Sequence, residues 1–161
     1  MVNVHPDRRI NLTWNGFLEK YSLPESTKLA RIFSFSDDMQ ESVRLLRLAY
    51  KGEKDVIFTS FNSYSDAFDI PMPGDYSIVT DSAGFPYCVI YTKAVDIVPF
   101  KSIDLETAKR FDTADNLLTW QLKYMHKFSE ESNSIGYNFS MESPMVFEEF
   151  EIKYWDMWKL D

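Results

Sequence analysis

The segment 145–155 constrains the fold more than any other part of the sequence, because its residues alternate in polarity. Its apolar positions are Val146, Phe150, Ile152 and Tyr154. The positions between them are Phe147, Glu149, Glu151 and Lys153. A period of two residues is typical of a β-strand with one buried face. Such a strand is not stable alone, so the chain must contain a sheet.

Glu148 breaks this pattern, because it falls on the apolar side of the strand between Val146 and Phe150. A carboxylate among apolar side chains is costly unless it is paired or protonated. Two interpretations stay open. Glu148 is either a structural partner for hydrogen-bond donors or a functional carboxylate.

Other segments predict further strands and the helices between them. Strand-forming residues dominate 56–61, 76–81 and 86–98, with a hairpin loop at 82–84. We expect a helix that begins at the cap Asn11, a short helix over 25–33, and helices over 38–51, 103–111 and 115–129. For the helix 38–51, Asp37 or Asp38 is the expected cap and Gly52 the stop. Helices that lead and interrupt a mostly antiparallel strand set predict an α+β fold.

Length and charge limit the function classes. The 161 residues predict one domain, and the net charge of −8 opposes long-range attraction to a polyanion. Nucleic-acid binding would therefore need a local basic patch or a pocket for one base. The lone Cys88 suits a reducing compartment, and neither a signal peptide nor a membrane span is expected. These features favour a cytoplasmic protein.

A basic row is expected on the helix 38–51. Arg44, Arg47 and Lys51 are spaced by three and four residues, which places them along one side of a helix. Cations at this spacing can follow a phosphate backbone. The alternative is an ordinary solvated helix face, which is the more common fate of such residues.

Several motifs together resemble the ASCH (ASC-homology) domain family, in its longer bacterial branch. The first are Phe33-Ser34-Phe35-Ser36 and Gly52-Glu53-Lys54, followed by Pro73-Gly74-Asp75-Tyr76 and Asp81-Ser82-Ala83-Gly84. The later ones are Val95-Asp96-Ile97-Val98-Pro99, the segment from Trp120 to Phe128, and Val146-Phe147-Glu148-Glu149. The resemblance rests on their order and spacing and covers about residues 30–155.

This resemblance implies a small, mostly antiparallel, PUA-like β-barrel with flanking and N-terminal helices. It implies one ASCH domain over 1–161, with a helical extension at 1–37 and a barrel core with inserted helices at 38–156. Family members are associated with RNA and nucleosides. Some are amidohydrolases that act on an acetylated cytidine, and some are ribonucleases. A cleft beside the Gly-x-Lys motif is the implied site.

The resemblance also implies site residues. Lys54 matches the motif lysine of the amidohydrolases, and Glu148 or Asp112 would supply their carboxylate. Ile57 stands where those enzymes have a threonine, which weakens the amidohydrolase interpretation. Thr59 and Tyr124 occupy two further polar positions of the family. Tyr64 and Phe61 would be walls of the cleft, and Ser140 and Ser143 are weaker candidates for reaching it.

Lys54 has its own physical interpretations. A desolvated lysine can be a base or a nucleophile, and an ammonium can bind a phosphate or a carbonyl oxygen. The alternative is an exposed lysine after a helix C-terminus. No cofactor and no metal are expected, because His5, His126 and the single cysteine do not form a zinc-binding pattern.

Three functional hypotheses follow. The first is a binding module for RNA or a nucleoside, active as a monomer or homodimer. The second is a hydrolase that uses Lys54 with an acidic residue. The third is a non-catalytic scaffold that binds a protein partner through Trp155, Met157 and Trp158.

Overall fold

The structure, a computed structural model, describes residues 6–156. Its helices are α1 (Pro6–Lys20), α2 (Met39–Tyr50), α3 (Leu105–Phe111) and α4 (Leu117–Ser134). Its strands are β1 (Leu29–Ser34), β2 (Val56–Ser60), β3 (Tyr76–Thr80), β4 (Pro86–Pro99) and β5 (Pro144–Trp155). Short 3-10 turns occupy Phe61–Ser63, Ala67–Asp69 and Phe100–Ser102. The predicted α+β class is confirmed.

The five strands form one sheet in the order β1-β3-β4-β5-β2. Only β1 and β3 run parallel, and the other three neighbouring pairs are antiparallel. The expected mostly antiparallel sheet is therefore present. In the described part of the chain, β1 and β2 are edge strands and do not pair with each other, so the sheet is not closed. Residues of both edges nevertheless line one cavity, which means that the sheet is strongly curved.

Two helix predictions are wrong. The segment expected as a short helix over 25–33 contains instead a turn, in which Thr27 N donates to Pro24 O at 2.9 Å, and then strand β1. Parallel pairing with β3 decides this local choice, because a partner strand outweighs a weak helix propensity. The first helix begins at Pro6, not after a cap at Asn11, and Asp7 lies in its first turn.

The ends of α2 agree with prediction. Asp38 is the N-cap, and its side chain accepts a hydrogen bond from Glu41 N at 2.9 Å. After the helix, Gly52 has a φ of +80°, a conformation that glycine adopts at little cost. The chain then turns directly into Lys54 and β2. Helix α4 is longer than expected and ends at Ser134.

The helices cover the sheet in separate clusters. Helix α1 places Phe17 and Leu18 against Ile78 and Val89. Helices α3 and α4 pack their apolar side chains around Phe58 of β2 and Met145 of β5, with Trp120 and Tyr124 contributed by α4. Helix α2 packs on the central strands through Leu46 and Ala49. Cys88 is fully buried in this last cluster.

The contact between α1 and β5 generates a prediction. A Cβ atom at Gly16 would lie 2.5 Å from the Oη atom and 3.0 Å from the Cζ atom of Tyr154. Alanine usually stabilises a helix by about 1 kcal/mol relative to glycine. We expect Gly16→Ala instead to lower the free energy of unfolding by about 1–3 kcal/mol, because Tyr154 must move.

Urea denaturation measures this effect. The control is Asn15→Ala, at an exposed neighbouring position of the same helix, which is expected to be neutral or slightly stabilising. A Gly16→Ala variant as stable as the Asn15→Ala variant would contradict the close approach of α1 to Tyr154.

Candidate functional site

A cavity of about 160 Å³ lies between the two edge strands of the sheet. Its apolar wall consists of five phenylalanines together with Leu45 and Ile57, the five being Phe33, Phe35, Phe58, Phe111 and Phe128. Its polar lining consists of Arg31, Ser34, Lys54, Thr59, Lys127 and Glu131. Apolar and polar side chains contribute to this lining in similar measure, which suits a small ligand with an apolar face and polar edge atoms.

Lys54 is the most unusual residue of the cavity, because only 2% of it is exposed. Its Nζ atom donates hydrogen bonds to Val56 O at 2.7 Å and Phe111 O at 2.9 Å. The same atom lies 4.1 Å from the ring centroid of Phe111 and 4.9 Å from that of Phe35. An ammonium has three N–H donors, and the third finds no oxygen or nitrogen acceptor among residues 6–156, where only the two ring faces lie near it.

Burial lowers the pKa of Lys54 to about 7, although the charge of Asp112 opposes the shift. Ammonium and neutral amine therefore coexist near neutral pH. In the ammonium form Lys54 is a hydrogen-bond donor, and in the amine form it can also accept a proton. This is the property that a general base in a desolvated site requires.

Glu148 is also buried, but it does not line the cavity. Both of its carboxylate oxygens accept from the Arg31 guanidinium at 2.5 Å, and the Thr92 hydroxyl donates to it at 2.7 Å. The Arg31 guanidinium lies 4.1 Å from the ring centroid of Phe33. Within the described residues, no hydrogen bond or ion pair joins Glu148 to Lys54. The geometry therefore gives Glu148 the role of holding Arg31 at the cavity wall.

Asp112 holds helices together. It accepts hydrogen bonds from Arg44 at 2.7 and 2.9 Å, from Lys123 at 3.1 Å and from the Tyr124 hydroxyl. These contacts join α2 to α4. Burial by itself would raise the pKa of Asp112, yet the hydrogen bonds from Arg44 and Tyr124 hold it well below its usual range. Asp112 is not part of the cavity lining.

The other candidate ligand-binding residues fall into two groups. Thr59 lines the cavity, whereas Tyr64 does not. Arg44 and Tyr124 are both committed to Asp112 and lie outside the cavity. Arg47 and Lys51 are exposed on α2, away from the cavity lining. The basic row is therefore reduced to two solvated cations.

The weaker candidates do not join the cavity lining either. Phe61 is partly exposed after β2. Ser143 is buried and its Oγ accepts from Ser140 N at 2.8 Å, which stabilises the loop before β5. Trp155 packs against Tyr50, with ring centroids 4.8 Å apart. Met157 and Trp158 lie outside the described residues.

Sequence reasoning missed Arg31, Lys127 and most of the phenylalanine wall. The signal for part of it was present, because Arg31, Phe33 and Phe35 stand at alternate positions and all line the cavity. Reading this segment as a helix concealed that pattern. Lys127 and Phe128 are contributed by α4, and nothing local in the sequence indicates that α4 reaches the edge of β1.

In residues 6–156, no three His, Cys, Asp or Glu side chains are grouped so that they could hold a metal ion. In the same range, none of the helices has the length and apolar character needed to cross a membrane.

The contacts of Asp112 predict the effect of its removal. We expect Asp112→Asn to lower the free energy of unfolding by about 2–4 kcal/mol at pH 7, because it weakens a buried ion pair. Asp115→Asn, at an exposed position nearby, is the control and is expected to be neutral. The advantage of the wild type is present above the unfolded pKa and shrinks as the pH falls below about 4.

Urea denaturation of both variants between pH 3 and 7 measures this difference. An Asp112→Asn variant of unchanged stability would contradict the structural role and favour a role in ligand binding or catalysis.

Comparisons with known proteins agree with the fold. A search among curated protein sequences found no match. A crystal structure of a protein from Enterococcus faecalis superposes with a TM-score of 0.81 at 23% identity, covering 96% of this chain and 98% of that chain. A crystal structure of an ASCH domain from Lactobacillus crispatus superposes with a TM-score of 0.78 at 24% identity, covering 91% of this chain and 94% of that chain. The model of the ASCH domain family matches residues 31–154, so this chain belongs to the ASCH domain family.

Proposed function

We propose that this ASCH domain binds a nucleoside or an unpaired base of RNA in the cavity beside Lys54. The observation that carries the proposal is the buried Lys54 ammonium, one N–H of which has no oxygen or nitrogen acceptor among residues 6–156. A buried donor without a partner is costly, and a ligand acceptor would satisfy it.

The size of the cavity supports a single ring system as the buried part of the ligand. Its volume of about 160 Å³ is below the roughly 300–1,000 Å³ that is common for sites of drug-sized ligands. A planar base fits this limit better than a whole nucleotide. The attached sugar would then remain at the mouth of the cavity.

The lining supports a heteroaromatic ring with acceptor atoms at its edge. The rings of Phe33, Phe35 and Phe111 offer apolar contact. Lys54 and Arg31 offer donors to ring nitrogen or carbonyl oxygen atoms, and the Thr59 hydroxyl can donate or accept. The association of the ASCH family with RNA and nucleosides agrees with this chemistry.

A hydrolase is the second candidate, and one observation favours it. The pKa of Lys54 near 7 suits a general base at neutral pH. Two observations oppose it. Ile57 offers no hydroxyl next to Lys54, and Glu148 and Asp112 are each hydrogen-bonded to an arginine and not to Lys54. Binding without turnover is therefore the favoured function.

The binding proposal predicts the effect of replacing Lys54. We expect Lys54→Met to weaken the binding of cytidine, acetylated cytidine or a short single-stranded RNA by about tenfold or more, because a charged donor is lost. Calorimetric titration measures the affinity. Lys109→Met, at an exposed position of α3, is the matched control and is expected to bind like the wild type.

Circular dichroism of both variants verifies that they are folded. Binding by Lys54→Met that equals binding by the wild type would remove Lys54 from the site. Failure of every nucleoside and RNA to bind the wild type at low salt would refute the proposal.

The hydrolase alternative predicts a pH dependence. If Lys54 is the base, the rate of acetylated cytidine hydrolysis rises with pH through a midpoint near 7, because the amine form is the active one. Turnover measured from pH 5.5 to 9 tests this. Turnover that is undetectable, or that persists in Lys54→Met, would eliminate the mechanism.

A further inference from the structure

A second depression adjoins the cavity on the side of Phe35 and Glu131. It has a volume of about 360 Å³ and shares Ser34, Phe35, Lys127 and Glu131 with the cavity lining. Its remaining walls are Ser36, Asp37, Asp38 and Glu130. We name this depression the acidic vestibule, after its carboxylates Asp37, Asp38, Glu130 and Glu131. A ligand that leaves its ring beside Lys54 and extends past Phe35 would pass through it.

The charges of the vestibule are unbalanced. Four carboxylates face a single cation, Lys127. Within residues 6–156, the one basic side chain beside Glu130 is the exposed His126, at 3.1 Å, and Asp38 caps α2. Partial burial and the charge of Asp37 raise the pKa of Glu131, while Lys127 lowers it, so these groups interact. The net charge of −8 on the whole chain adds to the negative potential.

This potential opposes phosphate at the place where the sugar of a bound nucleoside would lie. Like charges that face each other exclude a wrong ligand even where the remaining contacts are good. We propose that the acidic vestibule is a charge filter, which admits uncharged or cationic ring ligands to the cavity and excludes phosphorylated ones. This inference rests on the proposed function and narrows it to a free nucleoside or base in preference to RNA or a nucleotide.

Lys54 also lines a groove on its other side, and the charges of this groove can be compared with those of the vestibule. A groove of about 410 Å³ on the other side of Lys54 is lined by Tyr50, Lys93, Glu151 and Trp155, among others. Its charges are paired: Lys93 lies 3.9 Å from Glu149, and Lys153 lies 2.5 Å from Glu151. Access through this groove would not discriminate against an anion. The two routes therefore predict different results for a charged and an uncharged reagent.

The filter can be measured without any nucleoside by acetylating Lys54. The two reagents are the N-hydroxysuccinimide ester of acetic acid and its sulfonated form, which transfer the same acetyl group but differ by one negative charge. The Lys54 amine attacks the carbonyl carbon, the new C–N bond forms, the ester C–O bond breaks, and the amine proton goes to solvent. At pH 8 most of Lys54 is amine, because its pKa is about 7.

Mass spectrometry compares the two rates at Lys54 with those at the exposed Lys109. At low salt we expect the sulfonated reagent to acetylate Lys54 about tenfold or more slowly than the uncharged reagent, after division by the same ratio of rates at Lys109. The triple variant Asp37→Asn, Glu130→Gln, Glu131→Gln should lose this discrimination, and so should the wild type in high salt. Asp38 is left in place because it caps α2.

Glu151→Gln, in the groove, is the matched control and should keep the discrimination of the wild type. Three results would overturn the filter: equal relative rates for both reagents, no acetylation of Lys54 by either reagent, or loss of discrimination in Glu151→Gln. The last would show that the discrimination follows the overall charge of the protein and not the vestibule.

A parallel titration separates this inference from the proposed function. Cytidine should bind, and cytidine 5′-monophosphate should bind with an affinity at least about tenfold lower. The triple variant should reduce this difference in affinity. Discrimination at Lys54 without binding of either compound would support the filter and refute nucleoside binding. Equal binding of both compounds, with no discrimination at Lys54, would support the base site and refute the filter.

Discussion

The burial of Lys54 is the constraint on which the site depends. Its two hydrogen bonds join the start of β2 to the end of α3, and Phe111 is 57 positions away along the chain. The same contacts fix the ammonium between two phenylalanine rings at the edge of the sheet. Removing a cation from water is costly, and an apolar side chain could fill the same space at lower cost. A buried lysine that keeps a free donor in a cavity is therefore better explained by ligand binding than by stability.

Two buried carboxylates illustrate how position decides the role of one chemical group. Glu148 and Asp112 are each about 1% exposed, and each binds an arginine through two hydrogen bonds. The partner of Glu148 lines the cavity, so this carboxylate positions a donor that a ligand can reach. The partner of Asp112 lies on α2 outside the cavity, so this pair connects helices. The two carboxylates therefore have different roles, and in the described residues neither is hydrogen-bonded to Lys54.

The charges around the cavity limit the kind of ligand that it can attract. The chain is acidic overall, and its predicted basic row loses Arg44 to an internal ion pair. Three cations lie at the cavity: Lys54, Arg31 and Lys127. Burial lowers the pKa of Lys54 to about 7, so its charge is weak at neutral pH. Arg31 is paired with Glu148, and Lys127 is surrounded by carboxylates. Such an arrangement suits recognition of one polar ring better than attraction of a phosphate backbone. The local potential thus agrees with a small neutral ligand.

The sequence by itself determined the elements that carry a local signature. The alternation of β5, the cap and stop of α2, and the hairpin between β3 and β4 follow from short-range periodicity and turn chemistry. The motif around Lys54 also marked the site region before its geometry was known. Only the tertiary structure decided that the segment before α2 is strand β1, because its partner β3 is distant in sequence. It also decided that Arg31 serves Glu148, 117 positions away, and that two unpaired sheet edges enclose a cavity. Curvature of the sheet and long-range pairing produce these features, and neither leaves a local pattern in the sequence.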